Sequence, residues 1–296
     1  MAQIKKTKLG KIVHSDSLKY LKKLDDNSID LIITSPPFAL TRKKAYGNKQ
    51  GDEYLEWLRE FGELFYEKLS KEGSLVIDFG GSWVPGSPTR NLHQFKIPIM
   101  FVEELGFHLA QEFFWWNTSK MPNPAAWVTV SRERITDAVN YIFWFSKSKH
   151  PKANNKNVLN PYSNKMKNLI KNKSYNKNKR PGGQSISDVW AKNNGGAIPQ
   201  NVIPYGNTFN DPYFKYCEKK GLIKHPARFG PFIPEFFIKF LTDENDFVVD
   251  PFAGSCTTGS VAEQLNRKWL CIDNEVEYLK GAKGRFLKEF AFTVEK

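Results

Sequence analysis

Thr34-Ser35-Pro36-Pro37-Phe38 is the segment whose residue types point most directly to chemistry. Two consecutive prolines fix φ and leave no backbone N–H at either position, so the loop presents acceptors rather than donors there. Such a loop suits an exocyclic amine with two hydrogens to place. The Ser35 hydroxyl and the Pro36 carbonyl can take one N–H each, which turns the nitrogen lone pair toward an electrophile. Phe38 adds a flat face on which an extruded base can stack. A bare Pro-Pro pair is most often a plain turn. Here an apolar run, Asp30-Leu-Ile-Ile-Thr34, precedes it and a basic run, Arg42-Lys43-Lys44, follows it, and that context favours a site.

A second constellation lies near the other end. Asp250-Pro-Phe-Ala-Gly254-Ser-Cys-Thr-Thr-Gly259 follows an apolar run, Phe247-Val-Val-Asp250, and opens a helical pattern. Glycine at such a turn frees φ and lets a ligand approach the backbone. Asp273 closes the next apolar run, Trp269-Leu-Cys-Ile272, where an acid can bind both hydroxyls of a ribose. The turn is not GxGxxG, which argues against a pyrophosphate. A ribose-bearing ligand without phosphates fits better, and S-adenosyl-L-methionine is such a ligand. An ordinary strand-turn-helix corner remains the alternative.

Other residues carry weaker signals. Asp78 ends the run Ser74-Leu-Val-Ile-Asp78 and can either polarise the Ser35 hydroxyl or cap a turn. Trp115 and Trp116 alternate faces of a strand, so one belongs to the core and the other is a candidate for the base pocket. His225, before Pro226, reads as structural rather than catalytic. Cys217, Cys256 and Cys271 lack the Pro-Cys context of a covalent cysteine mechanism and show neither a CxxC pair nor zinc spacing, so no metal is expected.

These residues need strands and helices to hold them. Helical periodicity spans 54–69, 97–105, 234–241 and 257–266; strand-like runs cover 30–34, 74–78, 107–116, 139–145, 247–250 and 269–272. The alternation predicts an α/β fold, Rossmann-like, with a mixed, mostly parallel sheet. Residues 1–146 and 225–296 carry this pattern, whereas 147–224 is polar, Lys/Asn-rich and weakly periodic.

The net charge of +13 is confined to that middle segment. Lys147 to Lys224 holds 16 Lys and Arg against three acids, while the rest balances 28 basic with 28 acidic side chains. Concentrated cations of this kind commonly neutralise phosphates; a solvated Lys/Asn-rich insert is the alternative. The 40% hydrophobic content supports a real core and excludes global disorder. No apolar run approaches the roughly 20 residues of a membrane span. With no secretory pattern and unpaired cysteines, the expectation is a cytoplasmic protein.

Taken with both motifs, the chain resembles the β-group amino-methyltransferases of restriction-modification systems, most closely the cytosine-N4 modification methylases of the Pvu and Bam type. In that family the Ser/Asp-Pro-Pro-aromatic motif comes first, the target-recognition region follows, and the cofactor motif comes last, as a circular permutation of the class I methyltransferase fold. All three zones here keep that order. The resemblance implies a catalytic set of Ser35, Pro36, Pro37, Phe38 and Asp78. It implies a cofactor set of Asp16, Ser17, Phe229, Asp250, Phe252, Gly254, Ser255 and Asp273 around S-adenosyl-L-methionine. Ser15-Asp16-Ser17 resembles the segment that contacts the adenine, and His225-Pro-Ala-Arg-Phe229 the one that closes over the methionine end. Cys256 stands where the family commonly has a second glycine. The implied partner is double-stranded DNA, with residues 147–224 as target-recognition region and a cognate restriction endonuclease as a genetic partner. Adenine-N6 methylation on the same scaffold remains open, as does a non-catalytic DNA-binding or RNA-directed relative.

Overall fold

Within Ile29–Thr34 (β3), at the centre of the sheet, Leu31, Ile32 and Ile33 place apolar side chains on both faces. Leu31 and Ile33 enter one hydrophobic cluster, Ile32 the other, and all three are fully buried. A strand that serves two cores cannot alternate apolar with polar residues. The computed structural model describes residues 2–38, 51–172, 192–227 and 229–289. The basic run Arg42-Lys43-Lys44 and residue Arg228 lie outside them.

Chain order runs Ala2–Lys6 (β1), Gly10–His14 (β2), Ser17–Leu21 (α1), β3, Gly51–Lys68 (α2), Leu69–Phe79 (β4), His93–Ile99 (α3), His108–Trp116 (β5) and Val139–Ser146 (β6). Asn164–Asn172 (α4), Val202–Pro204 (β7), Pro212–Lys220 (α5), Phe232–Leu241 (α6), Phe247–Asp250 (β8), Thr257–Gln264 (α7), Lys268–Asp273 (β9) and Val276–Ala282 (α8) follow. The strands form one sheet in the order β1-β2-β9-β8-β3-β4-β6-β5-β7. From β2 to β4 every neighbour is parallel, and β6 runs antiparallel to both β4 and β5. The sheet is therefore mixed and mostly parallel.

Helices cover both faces. Leu58, Phe61 and Phe65 of α2 pack with Ile97, Met100 and Phe101 on one; Phe237, Ile238 and Leu241 of α6, Val261 of α7 and Leu279 of α8 pack on the other. Each such fully buried apolar side chain contributes about 1.5–3 kcal/mol relative to exposure. The helix expected at 97–105 begins earlier, at His93, and widens to π winding over Met100–Glu104. Pro98 withholds an N–H from the ladder just before the winding changes.

Two compact units are present, 1–153 with 201–296, and 154–200. The first takes in more of the basic segment than its composition suggests. There β7 pairs with β5, and α5 starts on an Asp211 cap that accepts from Tyr213 N at 3.1 Å and ends at Gly221 with φ 61°. Asp at the N-cap, Pro at the first turn and Gly at the end are the usual helix boundary signals. The second unit contains a 3₁₀ turn, Asn155–Val158, and α4, whose Lys165, Lys167 and Lys171 are exposed. It closes on itself through a bridge between Asn160 and Ala197 and a hydrogen bond from Asn194 N to Tyr162 Oη at 2.8 Å. Among the described residues no helix is long and apolar enough to cross a membrane.

Candidate active site

At the middle of the sheet, β3 and β8 are parallel neighbours, with Leu31 opposite Val248 and Ile32 opposite Val249. The two motifs that follow these strands must therefore emerge side by side at the carboxyl end. The chain reaches β3 early and β8 late, so a crevice opens where the strand order reverses. A cavity of about 540 Å³ lies there, lined by both loops.

Asp250 joins the two halves. Its Oδ1 accepts from Thr34 Oγ1 at 2.7 Å and from Phe252 N at 3.1 Å, and its Oδ2 from Thr258 Oγ1 at 2.7 Å. Burial pushes its carboxyl up to about 6, and these three donors hold the rise in check.

On one side of the cavity, Ser35 Oγ donates to Asp78 Oδ2 at 3.3 Å. Pro36, Pro37 and Phe38 line the same wall. Phe38 lies against Gly80: a Cβ there would come within 2.5 Å of its ring. Asp78 is 2% exposed, and burial pushes its carboxyl up to about 7 against hydrogen bonds from Asn140 and Ser35 and the charge of Lys120. Asn140 Nδ2 donates to Asp78 Oδ1 at 3.1 Å. Trp115 is buried and lines the cavity, its indole N–H bonded to Tyr205 O at 2.9 Å, whereas Trp116 is half exposed.

The remaining expected residues also line the cavity. Asp273 accepts from Gly254 N at 2.7 Å through Oδ2 and from Glu275 N at 2.8 Å through Oδ1, and its carboxyl is raised, chiefly by burial. Asp16 caps α1, taking Lys19 N at 2.9 Å, and Ser17 Oγ donates to Pro251 O at 2.5 Å. Phe252 packs on Phe61 and Trp57, with ring centroids 4.7 and 5.4 Å away, and still reaches the cavity, as does Phe229. Gly254 has φ +47°, and a Cβ on it would lie 2.8 Å from His225 Nε2, so its glycine serves the turn and the packing of His225 together. Ser255 is held from behind by Arg285, which donates to its carbonyl at 2.6 Å and its hydroxyl at 3.0 Å. Arg285 is itself fully buried against Asp211, at 2.9 Å.

All thirteen expected site residues thus border one cavity. The sequence alone did not single out Asn140, Lys120 or Tyr278, which border it too. Asn140 had a signal, a polar residue at the start of an apolar strand, but its meaning depends on β6 running antiparallel to β4. The acid-rich lining of Asp16, Asp78, Asp250, Asp273 and Glu275, with Lys120 opposing, suits a cationic nucleoside and disfavours a pyrophosphate. Among the described residues no cluster of His, Cys, Asp or Glu is arranged to hold a metal.

A mixed α/β sheet with a nucleoside-sized, acid-lined cavity at its switch point and an acceptor-rich Pro-Pro loop beside it defines a group-transfer enzyme of the class I methyltransferase fold. The family model described as DNA methylase matches residues 29–284, and the chain belongs to that family. It is 44% identical over 284 residues to the type II methyltransferase M.PvuII of Proteus hauseri, covering 95% of this chain and 84% of that one. It is 30% identical to M2.LlaDCHI of Lactococcus lactis subsp. cremoris, covering 94% of this chain and 89% of that one. The solved structure of the PvuII DNA methyltransferase (cytosine-N4-specific) superposes with a TM-score of 0.79 at 38% identity, over 97% of this chain and 89% of that one. The M1.HpyAVI–SAM complex shares the fold, with a TM-score of 0.57 at 22% identity, over 94% of this chain and 98% of that one.

Proposed function

We propose that this chain transfers a methyl group from S-adenosyl-L-methionine to the N4 amino group of cytosine in duplex DNA, as the modification enzyme of a restriction-modification system in the cytoplasm. The choice of cytosine rests on the likeness to M.PvuII, which spans nearly the whole chain. The observation that carries the mechanism is the single cavity shared by the Ser35–Asp78 pair and the Gly254–Asp273 turn.

When bound, S-adenosyl-L-methionine supplies an electrophilic methyl group on a sulfonium centre. Asp273 would bind its ribose hydroxyls and Asp16 its adenine, with Phe252 and Phe229 as the apolar faces that hold it. The target cytosine swings out of the duplex, and Phe38 receives its ring. Ser35 Oγ and the Pro36 carbonyl accept the two amine hydrogens. Ser35 can do so while donating to Asp78, because a hydroxyl has one hydrogen and two lone pairs. The proton that the amine sheds passes through Ser35 Oγ to the Asp78 carboxylate, whose raised affinity for protons suits a general base near neutrality. Placing these acceptors before the reaction supplies the stabilisation, since the amine nitrogen is conjugated and poorly nucleophilic.

The basic segment 147–224, including the separate unit 154–200, is assigned to target recognition, where lysines meet phosphates. The cognate endonuclease is a genetic partner in this reading. Incubating the protein with duplex DNA and methyl-labelled cofactor, then digesting to nucleosides for mass spectrometry, tests it. N4-methyldeoxycytidine is expected. N6-methyldeoxyadenosine would overturn the choice of base, and label in RNA alone the choice of substrate.

A further inference from the structure

We propose that Asn140 is a positioning residue for methyl transfer: its amide clamps the Asp78 carboxylate, favouring the ionised form against burial and holding one oxygen toward Ser35 Oγ. The inference rests on the roles proposed above for Ser35 and Asp78.

Asp78 is the penultimate residue of β4, and the start of antiparallel β6 lies beside that end: Asp78 is opposite Ile142 and Phe79 opposite Tyr141. Asn140, the next residue along, reaches back across the strand pair. Its Nδ2 lies 3.1 Å from Asp78 Oδ1 and 3.4 Å from Oδ2, while Ser35 Oγ approaches Oδ2 at 3.3 Å. The carboxylate is thus held at both oxygens and cannot rotate away from Ser35 without breaking the amide contact.

Among the described residues, three groups act on Asp78. Ser35 comes from the loop after β3, Asn140 from β6, and Lys120 from the loop between β5 and β6. Lys120 acts through space and is exposed, so solvent screens it. Burial opposes ionisation, and the Asn140 amide is the largest counterweight. A neutral amide suits the task better than a cation. An arginine here would hold the acid so far below neutrality that it could no longer take a proton, whereas an amide orients it and leaves its affinity near the working pH. Asn140 also lines the cavity.

Single-turnover methyl transfer across pH 5.5–9 tests the assignment, with cofactor and DNA affinities measured alongside. Asn140→Leu should move the acid limb of the rate profile upward by about one pH unit, slow transfer about tenfold below that limb, and recover toward the wild-type plateau at high pH. Cofactor affinity should not change. Asn140→Asp sets a second carboxylate against Asp78 and should move the limb further in the same direction, which keeps the test intact if the leucine variant folds poorly. An unmoved limb, or a uniform loss at every pH, would overturn the clamp and leave Asn140 as packing or a substrate contact. Asp78→Asn is the separate control. Wild-type rates in that variant would remove the base that Asn140 is said to position, and would locate the failure in the reading of Asp78.

Discussion

Thr34 and Asp250 lie 216 positions apart in the chain and share a 2.7 Å hydrogen bond, Oγ1 to Oδ1, that ties the Pro-Pro loop to the glycine turn. Thr34 is the last residue of β3 and Asp250 the last of β8. The bond therefore fixes the spacing between the Ser35 acceptor and the turn assigned to the cofactor. Thr34→Val keeps the volume and removes the donor. Unfolding stability should fall by about 1–2 kcal/mol, because a buried carboxylate loses a partner. Transfer should slow more than cofactor binding weakens. A denaturation curve and single-turnover rates check both, and equal losses in rate and affinity would contradict a spacing role.

Asp78 links catalysis to stability. Its carboxyl is raised to about 7 in the fold from an ordinary value of 3.8. A raised acid binds more protons folded than unfolded, so its contribution is full below pH 4 and is lost as pH rises toward 7. Asp250, raised to about 6, acts in the same direction. Wild-type stability should therefore decline from pH 4 to 7 more steeply than that of Asp78→Asn, which should lose activity and part of this slope together. Melting temperatures at half-unit pH steps would show it; parallel slopes for the two proteins would not fit.

What the sequence made legible was what is local. The Pro-Pro loop, the glycine turn and Asp273 each show their residue types within a few positions, and the apolar Leu31-Ile32-Ile33 marked β3 as a buried strand. What depends on register was not legible. Asn140 meets Asp78 only because β6 runs back along β4, and Thr34 meets Asp250 only because β3 and β8 are neighbours. Helix α5 was hidden for another reason: its Asp-Pro start and Gly stop sit in a stretch whose lysines dominate the composition.

Asp273→Ala should separate cofactor binding from the rest of the site. The carboxylate takes two backbone N–H groups and borders the cavity. Removing it should lower stability by about 1–3 kcal/mol and weaken S-adenosyl-L-methionine binding by about 10- to 100-fold. Calorimetry measures the second quantity directly. Unchanged affinity would confine Asp273 to shaping the turn.

Lys165, Lys167 and Lys171 project from α4, a helix with no buried residue. Of the lysines in the basic segment 147–224, those at 173, 177 and 179 lie outside the described residues. Replacing the three on α4 with glutamine should weaken DNA binding and lower the log–log salt slope by about 0.9 for each phosphate that a lysine no longer neutralises. Titrations at several salt concentrations give that slope. An unaltered slope would mean that these charges are only solvated.

Ser35→Ala bears most directly on the mechanism. The change deletes one of the two acceptors proposed for the amine and leaves both prolines and Phe38 in place. Cofactor affinity should stay the same, since Asp273 and Asp16 stand on other elements than the loop after β3, and DNA affinity should persist because phosphate contacts dominate it. The transfer step itself should slow by about 10²–10³, the usual consequence of losing one prepositioned transition-state hydrogen bond. Ser35 donates to Asp78, so the two act as a unit, and Asp78→Asn should slow the same step. The double variant should then be little slower than the worse single one. Rapid-quench single turnovers on all four proteins decide the matter. Wild-type rates in Ser35→Ala would refute the loop's catalytic role, and fully multiplicative losses would show that the 3.3 Å contact between Ser35 and Asp78 carries no proton.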